Sequence, residues 1–192
     1  MAGFTPRIRG ILIFSGFGMT SIRILTEDDA AAFQALRLSG LRESPKAFGS
    51  TYENEVDTPL EQIAAQLARG AGGEDVVFGA LDDDGALVGV AGMRRGTTLK
   101  TRHRGGVWGM YVAPRARGGG VGRALGSAVI QHARSLGMER LVLGVETTNQ
   151  PARVLYHALG FVTYGIEPRA YRLDGEYWDS ELMTLALSAI EQ

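Results

Sequence analysis

The 192-residue chain contains no cysteine, which excludes disulfides, thiolate metal sites and a cysteine nucleophile. Such a chain suits a reducing compartment, and a cytoplasmic location is expected. Lysine is scarce as well: Lys46 and Lys100 are the only two among 20 basic residues. Neither sign of charge prevails, since those 20 face 21 Asp and Glu for a net charge of −1. No whole-protein field favours a nucleic acid or a membrane surface, so neither is expected as a partner. No run reaches the ~20 apolar residues of a transmembrane helix. Ile11-Leu12-Ile13-Phe14 follows Arg7 and Arg9 in the manner of a leader, but Gly16 and Gly18 break it and no small-x-small cleavage site follows. Met19-Thr20-Ser21 reads as a natural start. Residues 1–18 are therefore expected to be an extension without a fold role, and 19–192 a single domain. His103, His132 and His157 show no metal-ligand spacing, so no metal is expected.

What is present is an ordinary globular mixture, 45% hydrophobic and 21% charged. Residues 22–25 alternate as a strand. Thr26 predicts a helix cap, with Glu27, Asp28 and Asp29 in the first turn and Ala30, Phe33 and Leu36 as a buried stripe. Residues 44–57 read as a loop from which Ala47, Phe48 and Tyr52 can dock. Thr58-Pro59-Leu60-Glu61 predicts a capping box opening a second helix, with Leu60, Ile63, Ala64 and Leu67 on its apolar face. Residues 76–81 and 87–93 flank Asp82-Asp83-Asp84-Gly85 as a hairpin. A strand over 106–112, an amphipathic helix over 120–136 with His132 on its buried side, a strand over 141–145 and a helix over 151–159 follow. Strands at 161–164 and 181–187 finish the chain. Between them, 165–179 reads as a connection whose Tyr171, Tyr177 and Trp178 line an acceptor site, a dimer contact or a hairpin core. Hairpins first and a strand–helix–strand–helix unit later predict one mixed α/β domain of the α+β type.

The segment with chemistry in it is Tyr111-Val112-Ala113-Pro114-Arg115-Ala116-Arg117-Gly118-Gly119-Gly120-Val121-Gly122-Arg123. A strand ends, a glycine-rich turn follows and a long helix begins. Backbone N–H groups and a helix N-terminus converge there, which makes an anion site. Arg117 and Arg123 can add charge-assisted bonds. A nucleoside-triphosphate P-loop is excluded because no lysine follows the glycines, and the dinucleotide fingerprint fails at Leu125, where its third glycine belongs.

Arg117, Gly120 and Gly122 instead satisfy Arg/Gln-x-x-Gly-x-Gly/Ala. Here the sequence resembles the GNAT superfamily of acetyl-CoA-dependent N-acetyltransferases, over roughly residues 21–187. Met110-Tyr111-Val112-x-Pro114, the glycine turn, Asn149-x-x-Ala152-x-x-Leu155-Tyr156 and Gly160-Phe161 occur in the superfamily's order. The resemblance implies a central, mostly antiparallel twisted sheet, splayed at the cofactor site and flanked by about four helices. It also implies acetyl-CoA as cosubstrate, with pantetheine bound between the strand carrying Met110 and Val112 and the strand over 141–145. The pyrophosphate would lie on the amides of Arg117, Gly118, Gly119, Gly120, Val121, Gly122 and Arg123. Asn149 would hold the pantetheine arm, and Tyr156 would protonate the departing thiolate. As residues, Asn149 also fits a helix N-cap and Tyr156 a core tyrosine.

Two charge blocks stand out. Residues 94–123 carry eight basic side chains and no acid, a rim suited to a polyphosphate cofactor; residues 53–84 carry nine acids and one base. Glu53 and Glu55 are the candidates for receiving a cationic amine. Glu146, at the end of the strand lining the site, is the candidate base, beside deprotonation through water. The expected activity is direct transfer of acetyl to a primary amine of a small amine, an amino acid or an amino-acid-like compound. A protein N-terminus is the second acceptor class, and a non-catalytic acyl-CoA-binding regulatory module the alternative outside enzymes. A homodimer is a further expectation of the resemblance.

Overall fold

The apolar runs around Asp82–Gly85 become adjacent strands buried on both faces, as near-continuous Val, Ala, Phe and Leu sequences require. The structure, a computed structural model, describes residues 11–15 and 18–187. Its strands are β1 (Ile11–Ser15), β2 (Gly18–Ile24), β3 (Asp75–Leu81), β4 (Leu87–Arg95), β5 (Arg104–Val112), β6 (Arg140–Glu146), β7 (Val162–Leu173) and β8 (Glu176–Ala186). The helices are α1 (Ala30–Glu43), α2 (Tyr52–Glu55), α3 (Leu60–Ala68), α4 (Val121–Ser135) and α5 (Gln150–Ala158). One sheet runs β1-β2-β3-β4-β5-β6-β8-β7. Every pairing is antiparallel except β5 with β6.

On one face, α4 lays Val121, Leu125, Ala128 and Val129 against Phe78, Met93, Leu141 and Met183. On the other, Phe33, Leu36 and Leu41 of α1 and Ile63 and Leu67 of α3 meet Val77, Val90 and Tyr111. The alternation of Val76 and Phe78 against Val77 along β3 splits one strand between both cores.

Ahead of α1, Thr26 caps a 3₁₀ turn over Glu27–Asp29, and Asp29 is the N-cap of α1 itself, so the expected acidic first turn lies before the helix. The Thr26 N–H donates to Asp29 Oδ2 at 2.8 Å, and Arg23 clamps the same carboxylate through two 2.7 Å bonds. Those bonds hold the Asp29 carboxyl below the ordinary carboxylate range against the opposing effect of burial. Three corrections belong beside this. The expected box at Thr58 does not form: Pro59, with φ −59° and ψ 141°, is itself the cap of α3, and Leu60 at its start is exposed. The expected loop 44–57 contains α2, opened by Thr51 Oγ1 accepting from the Asn54 N–H. The stretch 165–179 is not a connection but most of the β7–β8 hairpin, turned at Asp174 and Gly175, both at positive φ.

Part of the segment 1–18 also takes a place in the sheet. Ile11–Ser15 is the edge strand β1, with Ile11 opposite Ile22 and Ser15 opposite Gly18. For those residues the expectation of no fold role is replaced by pairing on the free edge of β2. Residues 1–10, 16 and 17 lie outside the described residues.

His132 is a core histidine with an acid-sensitive position. Gly73 O can only accept, so His132 Nε2 donates to it at 2.7 Å, which leaves Nδ1 buried and without a partner. The ring meets Phe78 edge-on at 5.6 Å. Burial holds its pKa below 6.5, outweighing the bond to Gly73, which favours the cation. On acidification the unfolded chain therefore takes up this proton first. The stabilisation is complete above the unfolded value of about 6.5 and is lost as pH falls through the lower folded value. Urea unfolding at about pH 7.5 and about pH 5.5 should show lower stability at the acidic point, and His132→Leu should flatten the difference. An equal slope in the variant would place the acid sensitivity elsewhere.

Candidate functional site

The parallel pair β5–β6 matches for only three positions, Arg104, Gly105 and Gly106 against Arg140, Leu141 and Val142. Past Gly106 the two strands part. Their other edges stay paired, β6 with β8 over its whole length and β5 with β4, so the separation is a feature of this one seam. A bulge accompanies it. Val90 faces Tyr111 while Gly92 faces Trp108, so β5 carries an extra residue, and Gly109 sits there at φ +63°. A glycine inside a strand pattern is the sequence signal for such a bulge.

A cleft of about 450 Å³ opens beside this seam. One wall is β5, through Met110, Tyr111 and Val112; a second is α5, through Pro151, Ala152 and Leu155. The floor is the glycine turn, and Ser44, Ala47 and Phe48 close it from the segment after α1. Of the sequence-predicted cofactor residues, Met110, Val112, Arg117, Gly118, Gly120, Val121, Gly122 and Asn149 all line this cleft. Gly119 and the exposed Arg123 do not.

The turn is shaped as an anion cradle. Gly118 and Gly120 have φ of +78° and +83°, and a Cβ on either would meet no atom within 4 Å. The Arg117 N–H returns to Pro114 O, and the next backbone N–H with an acceptor is that of Ala124, to Gly120 O at 3.0 Å. Among the described residues, no backbone carbonyl accepts a well-formed hydrogen bond from the amides of 118–123. Such N–H groups ahead of a 15-residue helix, with open space before them, match the diphosphate of coenzyme A in charge and donor chemistry.

Two predicted groups are engaged elsewhere in this state. Arg117 donates through Nε to Val112 O at 2.8 Å and through Nη1 and Nη2 to Glu43 at 2.8 and 2.9 Å. Tyr111, whose ring lies over Gly40, gives its hydroxyl hydrogen to the same carboxylate. Bonds from Arg117 and then Tyr111 hold the Glu43 carboxyl below its usual range. No sequence signal marked Glu43, which stands at the last position of α1. Asn149 is the N-cap of α5, its Oδ1 accepting from Ala152 N–H at 3.3 Å, while it also lines the cleft.

The remaining predicted residues stand outside the cleft. Tyr156 follows cleft-lining Leu155 but is 8% exposed, its ring 5.8 Å from that of Phe161. Burial pushes its hydroxyl pKa up to about 12. Glu146 is buried, and its two oxygens accept from the Thr148 N–H at 3.0 Å and the Thr148 hydroxyl at 2.7 Å. It thereby organises the turn that presents Asn149. Glu53 is exposed on α2 and does not line this cleft, and Glu55 is clamped by Arg37 at 2.8 and 2.9 Å. Burial acts to raise the Glu55 carboxyl, yet the bonds from Arg37 and Ser50 leave it below the usual range. The pair of glutamates therefore does not converge on the cleft.

The charge blocks turn out to be partners of one another. Asp75 lies opposite Arg94 across the β3–β4 ladder and pairs with it, Glu74 with Arg95 and Arg102, and Asp82 with Arg115 at 2.7 Å. Three acids of the block, Glu74, Asp75 and Asp82, thus pair with Arg94, Arg95, Arg102 and Arg115 of the basic rim.

Residues 41–161, more than half of the chain, match the model of the Acetyltransferase (GNAT) family. The chain belongs to this family. The aminoglycoside N(6')-acetyltransferase type 1 of Stenotrophomonas maltophilia is 35% identical over 147 residues, 73% of this chain and 85% of that protein. A mycothiol acetyltransferase of Saccharomonospora viridis is 46% identical over 59 residues, 31% of this chain but only 19% of the longer relative. The structure of yncA from Salmonella typhimurium, solved with its cofactor acetyl-CoA, shares the fold with a TM-score of 0.77 at 22% identity, covering 90% of this chain and 96% of that one. The seam, the bulge and the glycine turn of this GNAT protein are thus features of a fold that accommodates acetyl-CoA. The described residues hold no cluster of three or more His, Asp or Glu able to hold a metal, and no helix long and apolar enough to cross a membrane.

Gly120→Glu should abolish acetyl-CoA binding in calorimetry, since it puts a strained side chain and a negative charge on the turn expected to receive the phosphates. Circular dichroism should show the fold retained. Normal heat from a folded variant would overturn the cradle assignment.

Proposed function

We propose that this protein transfers the acetyl group of acetyl-CoA to a primary amine on a small molecule. The observation behind the proposal is the glycine turn, through Gly118, Gly120, Val121 and Gly122, opening on the cleft between β5 and α5. The diphosphate on that turn directs the pantetheine arm along β5, past Val112 toward the bulge at Gly109. The named activity of the Stenotrophomonas relative, acetylation of an aminoglycoside, supports a small-molecule acceptor.

In the reaction the neutral amine nitrogen attacks the thioester carbonyl carbon. An N–C bond forms, the C–S bond breaks, the amine loses its proton and the thiolate gains one. Without cysteine there is no thiol acyl-enzyme to form, so the protein's tasks are orientation, support of the oxyanion and proton handling. We assign the backbone N–H of Met110, beside the bulge at Gly109, to the carbonyl oxygen. Tyr156, next to cleft-lining Leu155 on α5, carries a phenol hydroxyl, and we assign it the proton for the sulfur. Glu146 already accepts two bonds from Thr148, so we assign it to holding the β6–α5 turn, with water taking the ammonium proton.

Thiol release from acetyl-CoA across a panel of small amines, amino acids, aminoglycosides and peptide N-termini should show turnover with small amines. Turnover on peptides alone would transfer the activity to protein N-termini, and tight binding without turnover on any acceptor would leave an acyl-CoA-binding module. Tyr156→Phe should lower kcat by about a hundredfold while leaving the affinity for acetyl-CoA unchanged. An unaltered kcat would remove its role as acid.

A further inference from the structure

Behind the cleft, on the α1 side of the sheet, lies a second cavity of about 190 Å³. Arg37, Glu55, Gln34, Gln62, Gln66 and Trp108 give it a polar lining. Two of these side chains carry buried donors with no acceptor, Arg37 Nη1 and Trp108 Nε1. Arg37 spends Nε and Nη2 on Glu55, and its side chain is only 12% exposed. Trp108 is wedged across Gly92 on β4, where a Cβ would come within 2.2 Å of indole Cε2, so its position depends on that glycine.

The cavity adjoins the proposed reaction centre at two points. The Arg37 guanidinium stacks on Phe48 at 4.6 Å, and the other side of Phe48's environment is the cleft it lines. Arg37 Nη1 is also 3.9 Å from the position of a Cβ on Gly109, the bulge residue next to Trp108. A buried donor left without an acceptor costs about 1–3 kcal/mol, so a fold that keeps two of them beside a reaction centre has a reason to supply. The Arg37–Glu55 pair is neutral as a unit and the glutamines are uncharged. Selection there is consequently by hydrogen-bond geometry, for an oxygen that accepts.

We propose that Arg37 and Trp108 form the specificity subsite for the acceptor, receiving the carboxylate or carboxamide oxygen of an α-amino-acid-type amine. This rests on the acetyltransferase reading and narrows its acceptor class. The oxygen takes the N–H of Trp108 and one N–H of Arg37 Nη1, and the amine of the same molecule is thereby held toward the bulge at Gly109. A simple alkylamine offers no such oxygen and leaves both donors empty.

The sequence has two tryptophans, Trp108 and Trp178, so ¹⁵N-labelled full-length protein should give two indole N–H resonances, assigned with Trp108→Phe. The probes are two trios: L-leucine, L-leucinamide and 3-methylbutylamine, and L-phenylalanine, L-phenylalaninamide and 2-phenylethylamine. The Trp108 resonance should shift with the acid or the amide and stay in place with the decarboxylated amine; whichever of acid and amide shifts it more identifies the group recognised. In turnover, Trp108→Phe should raise KM for the responding acid or amide about tenfold more than it raises the KM of the plain amine. A resonance that ignores acid and amide, or follows all three probes alike, would overturn the subsite. A selective shift without thiol release from acetyl-CoA would uphold the subsite and instead defeat the transferase reading.

Discussion

The structure depends on a parallel strand pair that stops after three residues. Backbone N–H and C=O groups must be satisfied, and a strand that leaves its neighbour exposes a row of them. β6 meets the demand on its far side through β8, and β5 through β4, so the sheet survives the parting. What is left is a gap with peptide groups on its β5 lip and no strand to fill it. In the proposed function, an extended amide-bearing chain such as pantetheine would fill it as an added strand. In the present state one of those groups, Val112 O, is taken by the guanidinium of Arg117, which bridges on to Glu43. That ion pair is half-exposed on both sides and therefore weak, so a diphosphate can replace Glu43 as the partner of Arg117 at little cost.

Glycine made much of this readable from the sequence. Gly118 and Gly120 need positive φ and open space, Gly109 breaks the strand pattern, and the order strand–glycine turn–amphipathic helix has few other uses. The stripe of α1 and the buried face of α4 were legible because each repeats one period over several residues, and the β3–β4 hairpin because an Asp/Gly turn parts two apolar runs. Elements without such a period were not. α2 is a single turn of Tyr-Glu-Asn-Glu, too short for any pattern. β7 is exposed through most of its length, so its residues obey no alternation of apolar and polar. Instead its hairpin is closed by rings: Tyr171 stacks on Trp178 and Arg169 lies 3.8 Å over Tyr177.

Charge was the least legible quantity, for a physical reason. A block of like charges along the chain says nothing of what stands opposite it in a sheet. Asp75 and Arg94 are nineteen positions apart yet face one another across one ladder. Glu55 illustrates the same limit at a single residue: its carboxylate looked available for an ammonium, and Arg37 of α1 already holds both oxygens. Neither pairing leaves a trace in composition. Both follow only from topology.

The two sites differ in how they bear their unsatisfied donors. The amides of 118–123 lie on an open turn, where water can occupy them until an anion arrives, so the empty state is tolerated and the gain on binding is modest per bond. Arg37 Nη1 and Trp108 Nε1 are buried and have no protein acceptor. A ligand oxygen that reaches them therefore satisfies donors the fold leaves unpaired. For that reason the glycine turn is suited to capturing any bearer of the diphosphate, whereas the enclosed pair discriminates among acceptors by one atom.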